Sequence, residues 1–194
     1  MATQDNREHE FKDNFEKIYL SYYPGMVRFA RRYVYRMEDA ENIVQDTFAE
    51  IWEHKTIYFY DRQHLLSLIF NIIKNKSIEY LRHQLVVKEV HNAVQEEFLL
   101  EQKIKFDSLE ALDDQISASG ETIEDVLRRA IDALPEKCRE IFIKNKIEKK
   151  KQRDIAAELN ISINTVETQM EIAWKKLKQE LKDYLPLLLF LVCL

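Results

Sequence analysis

Glycine and proline are almost missing, with two of the first and three of the second in 194 residues. Sheets built from many short strands need these residues at their turns, so an all-β fold is excluded. Cysteine is equally scarce. Cys138 and Cys193 are too few for a disulfide framework and show no metal-ligand spacing, which fits a reducing cytoplasm. Long apolar runs are confined to the final DYLPLLLFLVCL, whose length falls far short of the about 20 residues a membrane helix requires. The opening MATQDNREHEF has no apolar stretch behind a basic start, so no secretory leader is expected. Catalytic signatures are missing as well: no nucleophile–base set, no glycine-rich phosphate loop and no metal cluster. His54, His64, His83 and His91 are scattered and read as surface residues. Neither an enzyme, a cofactor, a metal site nor a small-molecule substrate is expected.

What is present is helix-forming sequence, with 46% hydrophobic and 32% charged residues in helical spacing. Its most informative stretch is Ile155 to Leu177, IAAELNISINTVETQMEIAWKKL. Apolar or small residues at Ile155, Ala156, Leu159, Ile161, Val166 and Met170 give a short helix, a turn at Asn160-Ile161-Ser162 and a second helix from about Ile163. Asn160 tolerates the left-handed conformation such a turn wants, and Ser162 suits the N-cap. This is the pattern of a helix-turn-helix, whose second helix enters the major groove. Val166, Met170, Ala173 and Leu177 form its buried stripe. Asn164, Thr165, Thr168, Ile172 and Lys175 lie opposite, short hydrogen-bonding side chains first and lysine later, suited to base edges and phosphates respectively.

The net charge of −5 divides unevenly: −4 over residues 1–53, +3 over 54–84, −7 over 85–134 and +3 over 135–183. A free-standing DNA binder usually carries a stronger basic excess, because phosphate neutralisation supplies much of its affinity. Weak unaided binding and a need for a partner are therefore expected.

Taken in order, Phe11, Phe15, Ile18 and Tyr19 share a helical face before Pro24-Gly25 breaks the chain; a second helix follows from about Met26 to Tyr35. A third opens at Glu38-Asp39, where acidic residues complement the helix dipole. Its polar face, with Glu41, Asn42, Gln45, Asp46 and Glu50, is either solvated or a docking surface. Tyr58, Phe59 and Tyr60 either plug a helical core or stack on exposed bases. A long helix from about Leu65 to His83 buries Leu66, Ile69, Phe70, Ile73, Ile78 and Leu81, and carries Asn71, Lys74, Asn75, Lys76 and Arg82 as candidate strand contacts. Residues 85–121 lose periodicity and read as an acidic spacer with a transient helix near Val94–Lys105. Helices resume after Thr122, and the run Lys149-Lys150-Lys151 with Arg153 lies where phosphates would pass. The apolar tail, residues 184–194, packs on its own domain, on a protein partner or on a membrane surface. The fold class is all-α: two helical domains, 1–84 and 122–183, joined by an acidic flexible linker, 85–121, the C-terminal domain being the helix-turn-helix.

Four blocks, DAENIVQDTFAEIW, LIFNIIKNKSIEYLR, ALPEKCREIF and DIAAELNISINTVETQM, are similar in content and order to extracytoplasmic-function sigma factors. These two-domain proteins supply promoter recognition to bacterial RNA polymerase. The resemblance covers roughly residues 10–183. It implies that Glu41, Gln45, Asp46 and Trp52 contact or support contact with core RNA polymerase. It implies that Tyr58, Phe59, Tyr60, Asn71, Lys74, Asn75, Lys76 and Arg82 hold the melted minus-ten strand, and that the helix-turn-helix reads duplex DNA at the minus-thirty-five element. There Arg153, Asn164, Thr165, Thr168 and Lys175 are implied contacts. Glu167 and Gln169 stand where many members carry basic residues, and suit a cytosine amino group and an adenine instead. The acidic linker would thread the polymerase cleft in place of RNA, and an anti-sigma factor, often membrane-bound, is implied as a partner. The alternative is a free-standing helix-turn-helix regulator that binds duplex DNA without polymerase.

Overall fold

The computed structural model describes residues 2–53, 62–89 and 96–194, and divides into two compact units, residues 1–115 and 116–192. Among the described residues every regular element is helical, and no helix is long and apolar enough to cross a membrane. The aromatic triplet Tyr58, Phe59 and Tyr60 lies outside the described residues.

The first unit is built on α1 (Ala2–Ala30), α2 (Met37–Glu53) and α3 (Arg62–Glu89). In α2, Ala40, Ile43, Val44, Thr47, Phe48 and Ile51 are buried, a stripe at three- and four-residue spacing. Thr47 avoids a buried unpaired hydroxyl by donating to the Ile43 carbonyl at 2.7 Å. From α3 come Leu65, Leu66, Ile69, Phe70, Ile73, Ile78 and Leu81. Phe48 sits among the rings of Tyr19 at 5.0 Å, Phe15 at 6.1 Å and Tyr23 at 6.5 Å, while Phe29 meets Phe70 at 5.5 Å. Tyr80 of α3 donates to Asp39 at the start of α2 over 2.8 Å, and burial together with that carboxylate pushes its phenol up to about 12.

Two expectations fail here, and both failures have a tertiary cause. The break at Pro24-Gly25 does not occur, since α1 runs through Pro24 to Ala30. Proline removes one backbone bond, to the carbonyl of Leu20, but Leu20 and Pro24 lie on the exposed side, where water can serve that carbonyl. The flanking Tyr22, Met26, Val27, Phe29 and Ala30 are buried and hold both halves to one core. The acidic span 85–121, read as a spacer with a transient helix near Val94–Lys105, holds a longer, 24-residue helix, α4 (Glu96–Ser119). Leu109 and Leu112 of α4 are buried, and most of its length belongs to the first unit.

The second unit contains α5 (Ile123–Asp132), α6 (Glu136–Phe142), a π-helical turn at Ile143–Ile147, α7 (Gln152–Glu158) and α8 (Ile163–Glu180). Thr122 caps α5 reciprocally: its hydroxyl accepts from the Asp125 N–H at 3.1 Å and its own N–H donates to the Asp125 carboxylate at 2.9 Å. Between α7 and α8 the turn places Asn160 at φ 52°, the left-handed conformation expected of it. Lys149 adopts φ 60° just before α7, where a β-carbon is less welcome. The tail forms α9 (Leu185–Cys193), with Leu187, Phe190, Leu191 and Cys193 buried. Lys146 and Lys149 donate to the carbonyls of Val192 and Leu194, placing positive charge at the end of α9 where the helix dipole favours it.

The ring cluster around Phe48 makes a direct forecast. Phe48→Ala should lower the unfolding free energy of the first unit by about 3–5 kcal/mol, the usual cost of emptying a buried phenylalanine site. Urea denaturation followed by Trp52 fluorescence in a Trp174→Phe background would measure it.

Candidate nucleic-acid interface

Helix α8 starts cleanly because Ser162 accepts the Thr165 N–H at 3.0 Å, with the Ser162 and Thr165 hydroxyls 2.8 Å apart. Val166, Met170, Ala173 and Leu177 are its buried stripe, and Trp174 meets Phe142 edge-on at 5.5 Å. Seating that stripe turns Asn164, Thr165, Glu167, Thr168, Ile172 and Lys175 to solvent on one exposed surface. The Thr168 hydroxyl rests on the Asn164 carbonyl at 2.9 Å, a bond it must exchange to donate elsewhere. Gln169 stands apart from this group. It is half-buried and accepts from the Cys138 thiol at 2.7 Å, so the structure uses its amide to tie α8 to α6.

The cations around this helix are fewer than their number in the chain suggests. Lys150 pairs with Glu158 at 2.7 Å and Glu148 at 3.4 Å, and Lys144 pairs with Glu158 at 2.6 Å. Lys149 is committed to the Leu194 carbonyl. Of the basic run before α7, Lys151 and Arg153 are exposed, and among the described residues neither has an ion pair. Lys175 is likewise exposed.

In the first unit the candidate strand contacts separate in the same manner. Asn75 is exposed and Asn71 half-buried. Lys76 pairs with Glu50 of α2 at 3.3 Å. Arg82 pairs with Glu110 of α4 at 3.5 Å and lies 5.8 Å above the ring of Phe106. Lys74 is the exception to the sequence reading: its side chain is 5% exposed and bonded to Asp113 of α4. A signal for this was available, since Lys74 stands four residues after Phe70 and seven before Leu81, within the buried stripe of α3.

On α2, Glu41, Gln45 and Trp52 share the flank beside α1, where Gln45 reaches the Tyr23 hydroxyl at 3.5 Å and Trp52 meets Phe15 at 4.8 Å. Asp46 is exposed and lies roughly 100° further round the helix at 3.6 residues per turn. The structure thus brings three of the four expected docking residues together. A shallow hollow of about 370 Å³ lined by Tyr23, Pro24, Val27, Arg28, Met37 and Glu41 adjoins them; sequence reasoning did not find it because it depends on α1 continuing through Pro24.

With both surfaces described, the comparison with known families is decisive. Residues 18–85 match the family model described as Sigma-70 region 2, and residues 124–177 match the model described as Sigma-70, region 4. The chain is an extracytoplasmic-function sigma factor. The two matches together span well over half of it, with the first on α1–α3 and the second ending within α8. No curated protein matches the chain. Sigma factors direct promoter recognition and catalyse nothing themselves. That accords with the groups on display, which are hydrogen-bonding, cationic and aromatic; among the described residues no cluster of metal-ligating side chains occurs.

The pairing of Glu158 has a measurable consequence. Hydrogen bonds from Lys144 and then Lys150 hold its carboxyl down to about 2, against an ordinary 4.5. A value lowered on folding contributes stability that is full above about pH 4.5 and is lost as pH falls towards 2. Glu158→Gln should therefore lower the urea midpoint of the second unit at neutral pH, and the gap from wild type should close as the solution is acidified through that window.

Proposed function

We infer that this sigma factor works by dividing the labour of promoter binding with core RNA polymerase. The observation that carries the reading is the exposed, capped start of α8, which presents Asn164, Thr165, Glu167 and Thr168 while Lys144 and Lys150 nearby are neutralised by acids of the same chain. Base-edge chemistry is on offer, with only part of the phosphate attraction that would give tight binding alone. In this proposal α8 reads the minus-thirty-five element through those residues, with Arg153 and Lys175 on phosphates. Glu167 would accept from a cytosine amino group. Gln169 would act through α8's seating unless it exchanges its bond with Cys138.

The exposed polar side chains of α3, with Tyr58, Phe59 and Tyr60 before it, are proposed to hold the melted minus-ten strand. The flank of α2 bearing Glu41, Gln45 and Trp52, with Asp46 beyond it, is proposed to dock on core polymerase. The family implies polymerase and anti-sigma partners in general terms; a membrane-bound anti-sigma factor covering the α2 flank is the specific proposal. Purification of the tagged chain from uninduced cells should then return a second, non-polymerase protein.

Reconstituted transcription tests the central reading. Core polymerase with this chain should initiate at a discrete set of promoters, identified by sequencing the transcripts; random initiation would contradict it. Asn164→Ala, Thr165→Ala and Thr168→Ala should each weaken use of those promoters by about 1–3 kcal/mol where a bidentate base contact is lost. Binding to unrelated duplexes should be unchanged.

A further inference from the structure

We propose that α4 is a built-in cover for the strand-binding face of α3, closed in the free factor and displaced when single-stranded DNA is taken up. This rests on the assignment of α3 to the melted strand. The observations behind it concern charge, packing and register within the first unit.

Helix α4 carries seven acidic and two basic residues over Glu96–Ser119. Two of those acids meet cations of α3 that would otherwise face phosphate. Asp113 takes the Lys74 ammonium, which is left 5% exposed, and Glu110 takes the Arg82 guanidinium at 3.5 Å. Phe106 lies beneath Arg82 at 5.8 Å, so one side chain supplies the ring and another the anion. An aromatic face and a row of negative charges are what a strand would bring to the same groove. Between these contacts remains an open cleft of about 410 Å³ lined by Asn75, Ile78, Glu79, Arg82, Glu110 and Asp113. It is open to solvent, so the seam is incompletely filled at the positions proposed for strand contact.

The seam is also weakly held. Gln102, Phe106, Leu109, Leu112 and Asp113 fall on the inward side of α4, so two polar side chains interrupt its apolar residues. Gln102 is 1% exposed, yet neither atom of its amide has a hydrogen-bond partner among the described residues. An unpaired buried amide is destabilising, and that cost is recovered when the helix lifts into water. The core of α1, α2 and α3, by contrast, is apolar. Beside the buried Leu109 and Leu112, α4 meets α3 through charge contacts at Lys74 and Arg82, which a competing polyanion can replace.

The test uses the full chain and a fluorescein-labelled single-stranded DNA of mixed sequence. The double variant Glu110→Gln with Asp113→Asn removes both anions from the seam. The control, Asp107→Asn with Asp114→Asn, removes the same charge from exposed positions of α4. The seam variant should bind about tenfold more tightly than wild type, because the open state rises from a minor to a major fraction. The control should gain less than about twofold, the part due to net charge alone. Equal gains, or none in the seam variant, would overturn the proposal. Amide hydrogen exchange on the wild-type chain gives an independent readout: adding the DNA should reduce protection of α4 and leave that of α2 intact. Protection of α4 that stays constant while DNA is bound would also overturn it. Neither outcome touches the sigma-factor reading, which stands or falls on promoter-directed transcription by the wild-type chain.

Discussion

Charge matched within the chain is the constraint on which the rest of this structure depends. A protein that meets two stretches of DNA needs cations, yet Lys74, Lys76 and Arg82 in the first unit and Lys144 and Lys150 in the second are each paired with a carboxylate. Phosphate neutralisation is the sequence-independent part of DNA affinity, so pairing these groups suppresses indiscriminate binding. What is left exposed is selective chemistry, namely the polar start of α8, and a few cations such as Lys151 and Arg153 that have no ion pair among the described residues. In the proposed division of labour, such a factor gains affinity from the polymerase it joins and contributes the choice of site.

Rigid scaffolding makes that selectivity possible. The α8 face points outward because four apolar side chains point inward, and its first turn is held by Ser162. In the first unit the rings around Phe48 fix α2 against α1, which sets Glu41, Gln45 and Trp52 on one flank. Both surfaces thus owe their geometry to buried residues that make no proposed contact with DNA or polymerase, and small errors in packing would misplace every polar group they carry.

Local features were legible in the sequence, and those decided by tertiary neighbours were not. Asn160, Ser162 and Thr122 act on atoms within a few residues, so their roles follow from residue type and position. The stripe from Val166 to Leu177 is periodic and uninterrupted, and it is buried as expected. The break at Pro24 looked certain because proline opposes a helix locally, but buried residues on both sides outweigh one lost bond. The extent of helix α4 beyond the transient helix expected near Val94–Lys105 was hidden because its inward side mixes Gln102 and Asp113 with Phe106, Leu109 and Leu112, while Leu100 and Ile104 are exposed. Its pattern resembles that of no single amphipathic face. Lys74 was misplaced for the opposite reason: its charge was weighted above its position in the stripe. The lysine run before α7 misled similarly, because Glu148 and Glu158 claim Lys150 and the carbonyl of Leu194 claims Lys149.

The most direct measurement is the affinity for a promoter duplex, recovered from the transcripts, of the chain alone and of the chain with core polymerase across a range of salt. The account predicts weak, poorly selective binding by the chain alone with a shallow salt dependence, and tight, selective binding once polymerase is present. Tight and selective binding of the duplex by the isolated chain, unchanged by polymerase, would contradict it.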